Sequence, residues 1–515
     1  MRFYIVGFFA IYVVLASGVG AARPATPETV LTHHAVSTHS TQAQHAFDEG
    51  LTLLYAFNRD ESRKRFERAA ALDPSLAMAW WGVAVAMGPN LNFDLDATRL
   101  AAAQTALAKA KALESGASPE ERGFIDALAL RYPATATGNT DASYGAYREA
   151  MGRLHDSYPA DDDAAALFAE SIMDTQPWSW PDGRPAGSAA RLAALMENVL
   201  ARDPQHIGAN HFYVHLMDEQ GVATRAVPSA LRLAALPTEP AASHLVHMAG
   251  HTFIDVGDYA ALERANRIAV DDDRAYAAQL GQAPTALDYY GHNLDFYIGG
   301  AVMSADGEQA ERAIGFARAV ASSRGMFGLE REGRYTEALA WPAPAKKGFD
   351  LLLYTIGRGL AYVALDNAAG ARAQLAAFDK LTGPESHNRR GTYLHAIHHA
   401  LAARLADMRG DDVAAARILR EAIAQTQEAP PEAFAPWTFP LRSWLGWVLL
   451  KSGDPLAAED AFHAALTYEP NDPQALFGLM ESVSQQGRIV EARPLAAKIA
   501  SVWKGPTAGL RPAGL

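Results

Sequence analysis

The sequence predicts an all-α protein, an α-solenoid of helical hairpins stacked into a superhelix, and three observations predict it. Apolar residues recur at helical spacing in short blocks, each closed by Asp-Pro, Glu-Pro or Gly-Asp, the punctuation of helical hairpins. Near the C-terminus Gly487 and Ala492 repeat Gly453 and Ala458 after 34 positions, a period of stacked helical pairs. Finally, 515 residues of which 49% are hydrophobic exceed what one compact core needs, so the apolar surface must be buried in several domains or along one elongated array.

Taken in order, residues 1–22 read as a signal peptide. Arg2 supplies the positive start, Phe3 to Ala16 the apolar run, and Gly18, Gly20, Ala21 and Ala22 the small residues of a cleavage site. The alternative, a membrane anchor, meets a run shorter than the roughly 20 residues a spanning helix needs. Export to the periplasm or outside the cell is therefore expected, with no membrane span in the mature chain. Residues 23–42, rich in Thr, Pro and Ser, read as an extended leader. Residues 43–427 read as degenerate helical repeats, and 428–440 as a Pro/aromatic loop that Phe434, Trp437 and Phe439 should fold onto a neighbour. Residues 441–505 read as a C-terminal pair of repeats and 506–515 as a flexible tail. With no cysteine there is no disulfide and no thiolate metal site, so any metal chemistry falls to His, Asp, Glu or Met. A net charge of −13 with no basic stripe argues against a nucleic-acid partner.

The C-terminal block places Leu445, Gly446, Leu449, Gly453, Ala458, Phe462, Ala465 and Pro470 in order, and Gly50, Phe66, Ala69 and Pro74 follow the same pattern near the N-terminus. Small residues let two helices approach, the aromatic fills the space between hairpins and the proline ends the second helix. On these residues the chain resembles the tetratricopeptide repeat. As a whole it resembles a group of bacterial tetratricopeptide proteins, exported or cytosolic, that combine an Ala-Met-Ala-Trp-Trp-Gly start with His-rich middle repeats. The segments carrying that likeness are Ala77 to Asn92, Ala166 to Trp178, His206 to Glu219, His244 to His251 and Tyr289 to Asp295. In such relatives the last segment reads His-Asn-x-His, and Asp295 stands here where the second histidine would be. The resemblance implies a fold and the location of a site, but no reaction.

Of 17 histidines, six lie between His206 and His251. His211 and His215 are spaced i, i+4, and His244, His247 and His251 are spaced i, i+3, i+7, so each set shares one helix face. With one repeat taken to begin at Ser243, counting from Pro204 and Pro159 puts the two preceding starts at Ile207 and Asp162. In that register His211 and His215 are equivalent to His247 and His251, and Glu170 is equivalent to His215. The tetratricopeptide likeness implies that this face lines a concave groove gathering Glu170, His211, His215, His244, His247 and His251. His292 is expected as an outer ligand. Secondary candidates are Asp295, His206, and His33 and His34 of the leader. Two imidazoles at i, i+4 chelate one cation, and a third ligand from a neighbouring helix completes a site. The expected cofactor is a transition metal ion, copper or zinc first, iron if carboxylates weigh more.

If three ligands leave a position open, Glu170 or Asp218 is the acid/base candidate beside it. His211 and His215 have the spacing of HExxH, but Phe212 stands where its glutamate belongs, and no other catalytic motif is present. Two functions therefore stand side by side: a periplasmic metal-binding protein, with or without catalysis on a small-molecule substrate, and a metal-free scaffold binding a peptide or partner protein in the groove through His, Glu and Asn.

Overall fold

The computed structural model describes residues 31–133, 135, 140–219, 221–237, 239–344, 348–382, 389–427 and 438–513; the signal-peptide reading of residues 1–22 lies outside them. Those residues fold into an all-α solenoid of 24 α-helices in which successive helices pack against one another. The sequence shows no ribbon signal, yet one short ribbon interrupts the helices, Trp178–Ser179 paired antiparallel with Ala186–Gly187. No helix among the described residues is long and apolar enough to cross a membrane.

Local chemistry sets the hairpins. Many turns pair a residue in the left-handed region with an Asp or Asn that caps the next helix, as in Phe57-Asn58, Gly257-Asp258, Ala305-Asp306 and Gly453-Asp454. The left-handed residue ends one helix, and the side-chain oxygen after it accepts a backbone N–H of the next. Packing follows the small–aromatic–small pattern. Any Cβ on Gly50 or Gly82 would overlap the Phe66 ring, and on Gly446 or Gly478 the Phe462 ring. Each phenylalanine thus fills the space between its own hairpin and the next.

Both ends of the chain are tied in. In the leader, Leu31 N–H donates to Thr52 Oγ1 at 3.1 Å and His34 N–H to Asp48 Oδ1 at 3.2 Å, so its described part lies against the first helix, Thr41–Tyr55, instead of standing free. At the other end, residues 507–510 form a short 3₁₀ turn whose Leu510 is buried against Leu476 and Ile499, so this part of the tail is packed and not flexible. Within the loop at 428–440, Phe434 and Trp437 lie outside the described residues, whereas Phe439 packs on Phe327 with ring centres 5.2 Å apart.

The superhelix also contacts itself. Tyr259 Oη donates to the Pro470 carbonyl at 2.9 Å and Asn471 Nδ2 donates to the Gly257 carbonyl at 3.1 Å, docking the C-terminal repeats on the turn after helix Ser243–Asp255. Gly257 has φ +70° and faces the Pro470 carbonyl with no room for a Cβ. Gly257→Ala should therefore destabilise the protein by more than ~2 kcal/mol, combining left-handed strain with a steric clash, a loss read from the urea midpoint.

Candidate metal centre

Three helices carry the histidines: Ile207–Leu216, Ser243–Asp255 and Tyr290–Met303. The first begins where the count from Pro204 places it, as Asp162–Met173 does by the count from Pro159, and the second begins at the Ser243 taken as reference. His211 and His247 are completely buried, His244 and His251 nearly so, and His215 and His292 half-buried. The imidazoles expected to line a concave groove form a covered bed. Phe57 packs on His211, His215 and His244, Tyr289 stacks on His244 at 4.0 Å between ring centres, and Phe296 packs on His247, His251 and His292.

Hydrogen bonds at the outer ring nitrogens fix which nitrogen faces inward. His247 Nδ1 lies 2.6 Å from Asn266 Oδ1, and Asn266 uses its Nδ2 to donate to the Leu262 carbonyl at 3.0 Å, so the amide orientation is set and His247 Nδ1 must be the donor. His251 Nδ1 lies 3.0 Å from Asp218 Oδ2, again a donor to an acceptor. His211 Nδ1 donates to the Tyr55 carbonyl at 2.6 Å. With Nδ1 so engaged, His211, His247 and His251 turn Nε2 to the interior. His251 Nε2 sits 3.1 Å from His247 Nε2 and 3.4 Å from His292 Nε2. Ligand nitrogens of a tetrahedral ion with bonds of ~2.0–2.1 Å are about 3.3 Å apart.

The six imidazoles divide into two sets, His211, His215 and His244, and His247, His251 and His292, each with ligand atoms within 4.8 Å of one another. In the first set the Nε2 of His211 and His215 and both nitrogens of His244 are buried without a hydrogen-bond partner. Burial and mutual repulsion hold His211, His244 and His247 well below the usual imidazole range, His215 at about 4 and His292 at about 3. Neutral imidazole is the metal-binding form. Behind His251, burial and the neighbouring Asp218 charge push Asp255 well above the carboxylate range. Burial also works to raise Asp218, but His251 and the hydrogen bond from Asp255 outweigh it and keep Asp218 ionised. Asp218, the acid/base candidate, is thus the carboxylate that orients His251.

Several predicted residues stand elsewhere. Glu170 belongs to neither imidazole set: it is buried beside Arg131 and Asp174, where burial raises it to about 8. Arg131 reaches it from helix Pro119–Arg131, a partner no repeat count reveals. Asp295 is claimed by Arg324 Nε at 3.1 Å. His206 caps Ile207–Leu216, its Nδ1 accepting from Ala209 N–H at 3.1 Å, with Nε2 3.2 Å from Asp163 Oδ1. His33 and His34 fold back onto carboxylates instead of the bed, at 2.7 Å from Asp48 and 2.9 Å from Asp163. Asp163 also accepts from Tyr55 Oη at 2.5 Å. Beyond the bed, His398 pairs with Asp379 at 3.2 Å and His399 Nδ1 bonds the His395 carbonyl at 2.7 Å, a polar helix surface.

Sequence reasoning missed Asn266, Asp255 and Phe57. Asn266 is a buried amide inside helix Tyr259–Gln279, one polar residue in an otherwise ordinary pattern. Phe57 left a signal. Its φ of +57° is the left-handed turn position that glycine fills at 257, 453 and 487, and a bulky residue there carries strain. The ring that the strained backbone carries lies 4.5 Å from His211, 6.1 Å from His215 and 5.5 Å from His244, centre to centre.

Residues 449–501 match the tetratricopeptide repeat family model. No curated protein matches the chain. Among solved structures it is similar to the human IFIT1 dimer with m7Gppp-AAAA (12% identity, 90% of each chain covered, TM-score 0.34). The APC/C hetero-tetramer Cut9-Hcn1 is 13% identical, covering 93% of this chain and 79% of that one at TM-score 0.30. Yeast Tom70 is 12% identical, covering 90% and 93% at TM-score 0.29. Scores this low say nothing of function.

Proposed function

We propose that this chain is a transition-metal-binding protein whose best-built site is His247, His251 and His292, seated inside a tetratricopeptide-like solenoid. A single observation carries the reading: the Nε2 atoms of His247 and His251 face each other at 3.1 Å while their Nδ1–H groups are spent on Asn266 and Asp218. With both Nδ1–H groups spent, the facing Nε2 atoms are placed to share one cation, and the desolvation that keeps His247 and His292 neutral favours a metal ion there over a proton. Asp218 behind His251 is the carboxylate–histidine arrangement that orients metal ligands and raises their basicity. Thiolate-free imidazole ligation suits zinc or copper, and with one carboxylate held one bond away iron ranks behind them. Three protein ligands leave a fourth position for water or substrate, so the same site supports either storage or hydrolytic and redox chemistry. The start of the chain at residues 1–22 supports placement in the periplasm or outside the cell.

The scaffold alternative is less well supported at these residues. Peptide binding needs groups within reach of an extended chain, and His211 and His247 are buried beneath aromatic rings. The test is cobalt(II) or zinc titration of metal-stripped protein beside Asp218→Asn. The variant should bind about 10–100-fold more weakly with unchanged stoichiometry; equal affinity in both would deny Asp218 its orienting role.

A further inference from the structure

We propose that His211, His215 and His244 form a second, separate coordination site that takes copper(I), whereas His247, His251 and His292 take a divalent ion. This rests on the metal-binding reading above and assigns different charges to the two halves of the bed.

The two sets share no ligand, and their surroundings differ in charge. His251 of one set is hydrogen-bonded to the Asp218 carboxylate at 3.0 Å, so an acidic group stands directly behind that site. The other set consists of three imidazoles and no carboxylate. Asp218 reaches His215 only through space, its oxygens being engaged by His251 and Asp255. The desolvation cost of a buried ion grows with the square of its charge, so an uncompensated divalent ion costs about four times as much as a monovalent one of equal size. A monovalent cation is therefore the one this set holds at least cost.

The cover points the same way. Phe57 lies against all three rings and Tyr289 is stacked on His244, so the set is roofed by apolar carbon. Copper(I) is satisfied by three imidazoles in a plane, while zinc keeps a fourth ligand that such a roof would have to admit. His244 has no hydrogen bond at either nitrogen, so its ring is positioned by stacking and is free to turn toward an ion. Phe57 holds its place at the expense of a left-handed backbone, as strained residues at functional sites do.

The experiment loads the metal-stripped full chain anaerobically with copper(I) against a colorimetric copper(I) chelator, and separately with cobalt(II) followed by its visible absorption. Wild type should retain one copper(I) and one cobalt(II). His292→Ala should lose cobalt(II) and keep copper(I). His215→Ala, or His215→Gln if the alanine variant fails to fold by circular dichroism, should weaken copper(I) by at least about 100-fold and leave cobalt(II) bound. Copper(I) displacing cobalt(II) mole for mole, or copper(I) lost with His292 and kept without His215, would overturn the two-site inference and leave metal binding standing. A wild type that retains neither ion would overturn the metal-binding reading itself.

Discussion

Replacing His251 with alanine will abolish the stabilisation that zinc or cobalt(II) confers on the wild-type protein. The Nε2 of His251 is 3.1 Å from that of His247 and 3.4 Å from that of His292, so it contributes to both close approaches in its set. Its Nδ1, on the far side of the ring, is held 3.0 Å from Asp218 Oδ2. A ligand that binds only the folded state adds RT ln(1 + [L]/Kd), about 4 kcal/mol at 1,000 times Kd. Without His251 two imidazoles remain and that increment should fall below ~1 kcal/mol at the same free-ion concentration. The metal-free variant should lose only about 1–3 kcal/mol, because the cavity left behind is partly offset by removing one of two opposed lone pairs. Urea unfolding with and without the ion separates the two effects. His463→Ala, at an exposed histidine paired with Glu459, should change neither curve.

Acid will unfold the metal-free chain through the same bed. The folded-state values of His211, His215, His244, His247 and His292 all lie below the ordinary imidazole value, at about 4 for His215 and about 3 for His292. Below about pH 6.5 the unfolded chain takes up protons that the folded chain refuses, so stability is present above that pH and falls as pH drops toward the folded values. Five such groups should remove more than about 3 kcal/mol between pH 6.5 and 5. His34 acts in the opposite sense. Burial works to lower it, but Asp163 outweighs burial and raises it to about 9, so its contribution is full below the unfolded value and is lost as pH rises through 9. His206, raised by the same carboxylate against the pull of burial, adds to that alkaline limb. Urea midpoints across pH 4–10 should therefore show a steep acid edge and a shallow alkaline one, with zinc moving the acid edge to lower pH. A flat profile from pH 7 to 5 would mean that the imidazoles are not buried as neutral rings.

Much of the fold is legible because its rules are local. Prolines and small residues at repeat spacing mark the starts of Asp162–Met173, Ile207–Leu216 and Ser243–Asp255, and helical periodicity puts His211 beside His215 and His247 beside His251. What local rules cannot carry is the identity of partners from distant helices. Glu170 holds the equivalent position in its repeat, yet Arg131 and Asp174 occupy its surroundings; Asp295 lies one turn from His292, yet Arg324 takes it. His206 was counted with the cluster by proximity in sequence, whereas its ring serves the helix start. The leader histidines do fold back, but onto Asp48 and Asp163. The covering of the bed depends on Phe57, Tyr289 and Phe296 arriving from separate turns and helices, which no local rule reveals.

The central claim is that these imidazoles bind a metal through their inward Nε2 atoms. X-ray absorption at the metal edge of zinc-loaded protein measures it most directly. The account predicts three imidazole nitrogens at ~2.0–2.1 Å, with the multiple-scattering signature of the rings, lost in His247→Ala/His251→Ala. A first shell of oxygen alone, or one unchanged in the double variant, would contradict it.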